Sequence, residues 1–266
     1  MKPLSHKLSP LHDAAYQGRL LHLRTLINQG FHVDILTLDS VSPLHEACLG
    51  GHYACAKFLL EKGANVDMMS TDGATPLFNS CSSGSVACVE LVLQYSSSIH
   101  TTCQLASAIH EASKKGVYMN CLQLLLLNGA HIDMELPLLG TPLYSACTAQ
   151  AASCVELLLH SGADVGLGCE QDTPLHAAVR GGGSAIVDLL LDFGADGSCR
   201  NAEGKTPLDL ALPNSLQLLI FPICAGPCSL SQLCRLCIRR SLGRNRLHRA
   251  SSLFLPHSIT AFILYQ

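Results

Sequence analysis

Thr141-Pro142-Leu143-Tyr144 and Thr173-Pro174-Leu175-His176 are two copies of one tetrapeptide, and the spacing of its other copies decides the fold. The same element stands at Ser9-Pro10-Leu11-His12, Ser42-Pro43-Leu44-His45, Thr75-Pro76-Leu77-Phe78, Ser107-Ala108-Ile109-His110 and Thr206-Pro207-Leu208-Asp209. In chain order the steps are 33, 33, 32, 34, 32 and 33 residues. A second anchor keeps the beat at Gly30, Gly63-Ala64, Gly129-Ala130, Gly162-Ala163 and Gly194-Ala195, and Leu-rich cores such as Phe58-Leu59-Leu60 and Leu157-Leu158-Leu159 lie between the two. A fixed period of this length marks a repeat architecture.

Each part of the unit has a physical task. Ser or Thr ahead of Pro puts a hydroxyl at a helix N-cap and proline at the first helical position, where no backbone donor is lost. The following Leu faces the core. A glycine such as Gly51 or Gly84 closes this short helix, and the Leu cluster buries the second one. Gly63 or Gly162 then supplies the positive φ that stops it. The next stretch, such as Asn65–Asp72, projects as a turn or hairpin. One unit cannot bury its apolar face alone, so the units must stack.

These features resemble the ankyrin repeat. Seven copies in register imply an all-α ankyrin-repeat solenoid over residues 1–221, with units near 6–38, 39–71, 72–103, 104–137, 138–169, 170–202 and 203–221. The fourth copy departs from the pattern: Ala108 replaces the proline, and Ser97-Ser98-Ile99 replaces the preceding Gly-Ala. A local irregularity is expected there, without a break in the stack. The first copy has few residues ahead of it, so its edge is expected to fray or to be protected by a partner.

Composition agrees with a repeat protein. Of 266 residues, 48% are apolar, only 5% are aromatic and none is Trp. Small-helix repeats need Leu and Ala in place of large aromatics. The formal charge of −3 conceals a division. Residues 1–209 hold all 20 acids and 11 of the 17 bases, whereas residues 210–266 hold six arginines (Arg235, Arg239, Arg240, Arg244, Arg246 and Arg249) and no acid. Two functional segments are implied.

The opening residues lack the apolar run of a secretory signal, and apolar runs such as Leu124–Leu127 and Leu218–Phe221 are too short to span a bilayer. The expected compartment is the cytosol, with access to the nucleus, and no membrane partner is expected. Cys55, Cys88, Cys121 and Cys154 recur every 33 residues and form one column. Packed helices stand about 8–10 Å apart, beyond the reach of a disulfide, so reduced, buried thiols are expected.

Beyond Leu219 the beat stops. In the tail Leu230, Cys234 and Ile238 fall at i, i+4 and i+8, one helix face, with Arg235 and Arg239 elsewhere. Gly243 is a candidate C-cap. A polar linker, Leu253-Phe254-Leu255-Pro256 and an apolar helix from His257 to Tyr265 follow. The arrangement resembles the suppressor-of-cytokine-signalling (SOCS) box, here residues 222–266. That resemblance implies that Leu230, Leu233, Cys234 and Ile238 dock on elongin C. It also implies that Leu255, Pro256 and Ile259 contact a cullin of the cullin-5 type that carries a RING subunit. His257 stands where the family often has a second proline, and Phe262 where it often has Tyr. Repeats followed by this box are similar to the ankyrin repeat and SOCS box family, whose members are substrate adaptors of cullin–RING ubiquitin ligases. Elongin B/C, a cullin and an unidentified substrate protein are the implied partners.

Other chemistries fit less well. Cys224, Cys228, Cys234 and Cys237 have a zinc-like spacing, but Cys228 to Cys237 lies on or beside one helix and Cys234 is the docking position; no metal or other cofactor is expected. His45-Glu46 and His110-Glu111 are followed by Leu49 and Lys114 where a zinc protease needs His. The anchor histidines instead read as hydrogen-bonding residues of the repeat turns. No phosphate loop or nucleophile elbow is present, and a non-enzymatic protein is expected. The tail arginines have no interleaved aromatic platform, so a solvated or acid-complementary face is expected in place of a nucleic-acid site. A cap that merely closes the stack would show a polar outer face, whereas this tail offers a second apolar surface. A scaffold or inhibitor that holds a partner without ubiquitination is the alternative function.

Repeat proteins of this kind bind through hairpin tips and first helices. Leu36, Leu38, Met68, Met69, Met134 and Leu136 are apolar residues at the tips, and Tyr16, Glu46, Leu49 and Lys114 lie nearby on first helices. They mark the expected substrate face, mainly in the N-terminal half.

Overall fold

The computed structural model describes residues 9–96, 108–116, 119–211, 230–242 and 256–264. The chain divides into two compact units, Met1–Ala112 with Val117–His131, and Ser113–Gly116 with Ile132–Gln266.

The first unit is built of helix pairs. These are α1 (Pro10–Tyr16) with α2 (Leu20–Asn28), α3 (Pro43–Leu49) with α4 (Tyr53–Glu61), and α5 (Pro76–Ser83) with α6 (Val86–Tyr95). First helices pack on first helices, α1 on α3 on α5, and second helices on second helices, α2 on α4 on α6 on α8 (Met119–Leu127). Helix α7 (Ala108–Lys114) crosses from one unit to the other. The second unit repeats the plan with α9 (Pro142–Thr148), α10 (Ala152–His160), α11 (Pro174–Gly181) and α12 (Ser184–Asp192). A short 3-10 turn at Leu208–Leu210, α13 (Leu230–Leu242) and α14 (His257–Leu264) follow. The described residues contain helices and two isolated bridges, Leu136 with Gly140 and Cys169 with Asp172, but no strand.

The anchor tetrapeptide makes the helix starts. Ser42, Thr75 and Thr141 hold extended backbone, carry proline behind them, and accept the third helical N–H on the side-chain oxygen. The Thr75 and Thr141 caps are both 3.2 Å long. In the two copies where His45 and His176 are the third helical residues, the cap becomes reciprocal. The Ser42 N–H donates to His45 Nδ1 at 3.2 Å and the Thr173 N–H to His176 Nδ1 at 3.1 Å. In the seventh copy the Asp209 carboxylate takes that role and accepts the Thr206 N–H at 2.8 Å. This is the capping-box arrangement, with imidazole or carboxylate in the place of glutamate.

A ring nitrogen that accepts at Nδ1 leaves Nε2–H as donor. His45 Nε2 donates to the Ala74 carbonyl at 3.0 Å and His176 Nε2 to that of Lys205 at 3.1 Å. His12 reaches Val41 in the same way at 2.9 Å. One side chain thus caps its own helix and ties it to the next copy, as the hydrogen-bonding reading expects. Burial lowers the pKa of His12 and His45, against weaker opposing effects of their carbonyl partners, which favours the neutral rings this pattern requires.

The second helices stop where glycine adopts the left-handed region, as at Gly63 (φ 87°) and Gly162 (φ 93°). The third copy, just ahead of the irregular fourth, lacks that glycine. There α6 runs ten residues and ends at Ser96 in extended backbone; residues 97–107, which hold Ser97-Ser98-Ile99, lie outside the described residues.

The repeat cores are Leu, Ala and Cys. Leu44, Leu59, Leu122, Leu158 and Leu175 are fully enclosed. The column cysteines Cys55, Cys88, Cys121 and Cys154 are buried free thiols, and burial raises the pKa of each, that of Cys154 to about 11. They act as small apolar side chains.

Candidate docking surfaces

Two surfaces follow from this frame, one on the box helix and one on the repeats.

Helix α13 inverts the usual arrangement. Its apolar stripe faces outward: Leu230 is 78% exposed, and Leu233, Cys234, Cys237 and Ile238 are exposed beside it. Nine residues, about two and a half turns, separate Leu230 from Arg239, which puts them on opposite faces. Arg239 is only 8% exposed. Its guanidinium donates to the Leu159 carbonyl at 3.0 Å and to the Ile263 carbonyl at 3.1 Å, and its carbon lies 5.2 Å from the Phe193 ring centre. Arg235 is half-buried over the Phe262 ring at 4.1 Å. The expectation of a solvated arginine face therefore needs correction for these two. Both cations face inward because carbonyls at the ends of helices and aromatic faces replace their water. Their positions in the periodicity were visible from the sequence, but not the carbonyls that would receive them.

In the downstream segment Pro256 and Ile259 are exposed and Ile263 is buried. Leu255 lies outside the described residues, as do Gly243, Cys224, Cys228, Leu253, Phe254, Arg244, Arg246 and Arg249. Of the four cysteines with zinc-like spacing, the described pair Cys234 and Cys237 sits exposed on the outer face of α13.

On the first unit the tip residues Leu36, Leu38 and Met69 are exposed, Leu38 to 92%. Tyr16 and Leu49 on α1 and α3 are exposed as well. Met68 and Glu46 are half-buried, and burial raises the pKa of the Glu46 carboxyl. In the second unit Lys114 and Met134 are half-buried. Leu136 corrects its reading as a surface tip. It is 6% exposed because the Leu136–Gly140 bridge folds the hairpin back, with the Leu136 N–H donating to the Gly140 carbonyl at 2.9 Å. A single apolar residue in a turn carries no sign of which way that turn folds.

The second unit also has a cleft that sequence reasoning did not foresee, lined by Tyr144, Asp172, Arg180, Asn201 and Glu203 among others. Asp172 organises it. It accepts from Arg180, from Asn201 Nδ2 at 2.9 Å and from the Tyr144 hydroxyl at 3.4 Å. Although desolvation alone would raise its pKa, the bonds from Arg180 and Asn201, with the charge of Arg180, lower it. The arrangement is saturated and holds neighbouring repeat tips together. Among the described residues no group of three or more His, Cys, Asp or Glu could hold a metal, and no helix is long and apolar enough to cross a membrane.

Repeated helix pairs with an outward-facing box helix define a protein-binding repeat protein with a docking appendage. Comparison with known proteins agrees. The ankyrin-repeat family model matches residues 11–104, 63–135 and 143–225, and the SOCS-box model matches residues 226–264. Ankyrin repeat and SOCS box protein 11 of Danio rerio is 57% identical over 97% of this chain and 87% of its own length. Ankyrin repeat and SOCS box protein 9 of Mus musculus is 52% identical over 97% and 88%. Among solved structures, the ankyrin repeat domain of human ASB11 superimposes with a TM-score of 0.79 at 52% identity, covering 84% of this chain and all of that one. The chain belongs to the ankyrin repeat and SOCS box family. The family and its box support a general role as a substrate adaptor of an E3 ubiquitin ligase, recruiting elongin and cullin components in general terms; this is an adaptor family and not a catalytic one.

Proposed function

We propose that this chain is the substrate-recognition adaptor of an elongin–cullin–RING ubiquitin ligase that assembles on elongin B/C and cullin-5. The outward apolar stripe of α13 carries the reading. A helix that served only to cap the stack would turn Leu230, Leu233, Cys234 and Ile238 inward, since exposed contiguous apolar surface marks an interaction site. Elongin C would cover that stripe, and Leu255, Pro256 and Ile259 would meet the cullin. The first unit would hold the target at Leu36, Leu38, Met68 and Met69, with Tyr16, Glu46 and Leu49 beside them; Lys114 and Met134 would serve the second unit. The protein would work in the cytosol with access to the nucleus. Ubiquitin transfer, and with it proteasomal loss of the target, would follow from tethering, which raises effective concentration.

Co-expression with elongin B/C tests the reading. A soluble ternary complex is expected, lost on Leu230→Ala combined with Cys234→Ala and able to take up cullin-5 with its RING subunit. Equal behaviour of both versions would refute the docking assignment. A captured partner whose level does not depend on the proteasome would point to a scaffold. Met68→Asp combined with Met69→Asp that left capture of the target unchanged would remove those residues from the substrate face.

A further inference from the structure

We infer that Arg239 is a positioning residue that fixes the direction in which the docking helix leaves the repeats. What that direction serves rests on the adaptor reading above; the clasp itself rests on geometry.

Three elements converge on one guanidinium. Leu159 is the penultimate residue of α10, and its carbonyl belongs to the last turn of that helix. Ile263 holds the same place in α14. Phe193 caps the end of α12 and is itself held edge-on by His160, with ring centres 5.3 Å apart. The last carbonyls of a helix lack intrahelical donors and carry the negative end of its dipole, so a cation there is favoured. Arginine suits the place because its planar fork can donate in two directions at once, whereas lysine presents a single point charge. One side chain of α13 therefore joins two repeat helices to the final helix of the box. Since the docking stripe is on the opposite face of α13, the clasp can hold the helix without touching the surface a partner would use. A joint of this kind makes tethering geometric: the ligase meets the repeats at a set distance, where a loose joint would spread it over many.

Hydrogen exchange on the full chain bound to elongin B/C tests the clasp. Losing charge-assisted bonds in Arg239→Gln should raise exchange in residues 157–163 and 256–264 about tenfold. Affinity for elongin B/C should change less than about threefold, because the opposite face is intact. Arg239→Lys keeps the charge, loses the fork and should resemble Gln more than Arg. Phe193→Leu, which leaves both carbonyl bonds, should raise exchange in the same segments by less. In the ligase assembled with cullin-5 and its RING subunit, Arg239→Gln should also spread ubiquitin over more of the chain's own lysines, a readout that a loss of stability alone would not shift. Wild-type exchange and a wild-type lysine pattern in Arg239→Gln would overturn the proposal. So would unfolding of Arg239→Gln accompanied by no change in Phe193→Leu. If the wild-type chain did not bind elongin B/C, the adaptor reading would fall, and exchange in the free chain would still decide the clasp.

Discussion

Helices α10 and α13 carry similar apolar stripes and use them in opposite ways. In α10, Cys154, Val155, Leu158 and Leu159 are buried against the neighbouring repeats. In α13, Leu230, Leu233, Cys234 and Ile238 are exposed, and among the described side chains Arg239 is buried and Arg235 half-buried. Periodicity shows that a helix has an apolar face; the partners available to its two sides decide which face is covered. Repeat neighbours lie against α10. The inner side of α13 meets helix ends and aromatic rings, which suit a guanidinium better than a leucine.

The contrast can be broken most severely on the repeat side. Leu158→Ala should cost about 2–5 kcal/mol in denaturant unfolding, through lost burial and a cavity that the fixed repeat cannot close. Gly162→Ala should cost about 1–2 kcal/mol in the same measurement, because φ of 93° disfavours any residue with a Cβ. Leu233→Ala on the exposed side should change stability by no more than about 0.5 kcal/mol. A cost near that of Leu158→Ala would mean that the stripe of α13 is core.

Acid should also act on the repeats. Folding lowers the pKa of His12 and His45 from the ordinary value of 6.5, so the unfolded chain binds more protons as pH falls below that value. The contribution of the neutral rings is complete above 6.5 and is lost as pH drops toward the lowered folded value. Glu46, whose pKa is raised, acts with the opposite sign in a lower window, just above 4.5. Melting of the first unit should therefore move down between pH 7.5 and 6, and His45→Gln should flatten that dependence. This is the smallest effect expected, and melting curves at matched ionic strength check it.

Much of the architecture was legible in the residues. The 33-residue beat foretold the helix pairs, Ser42, Thr75 and Thr141 foretold the caps, and Gly63 and Gly162 the stops. The histidines were read as structural, but their second bond, to the next copy, is a relation between repeats that one repeat does not display. The box stripe was visible at Leu230, Cys234 and Ile238. Arg239 was hidden, since a charged residue in a periodic pattern reads as solvated unless its acceptors are known, and Leu159 lies 80 positions away. Leu136 misled for a related reason: an apolar residue in a turn can fold in or out.

On the adaptor reading the outer stripe of α13 is a docking surface and not unfinished core. Thermal unfolding of the wild-type chain and of Leu230→Ala with Cys234→Ala, each with and without elongin B/C, tests it directly. Without elongin B/C the two should unfold at nearly the same temperature. With elongin B/C at about 100 times its dissociation constant the wild type should gain about 2.7 kcal/mol, and the double variant should gain nothing. Equal stabilisation of both, or a variant already several kcal/mol weaker on its own, would contradict the claim.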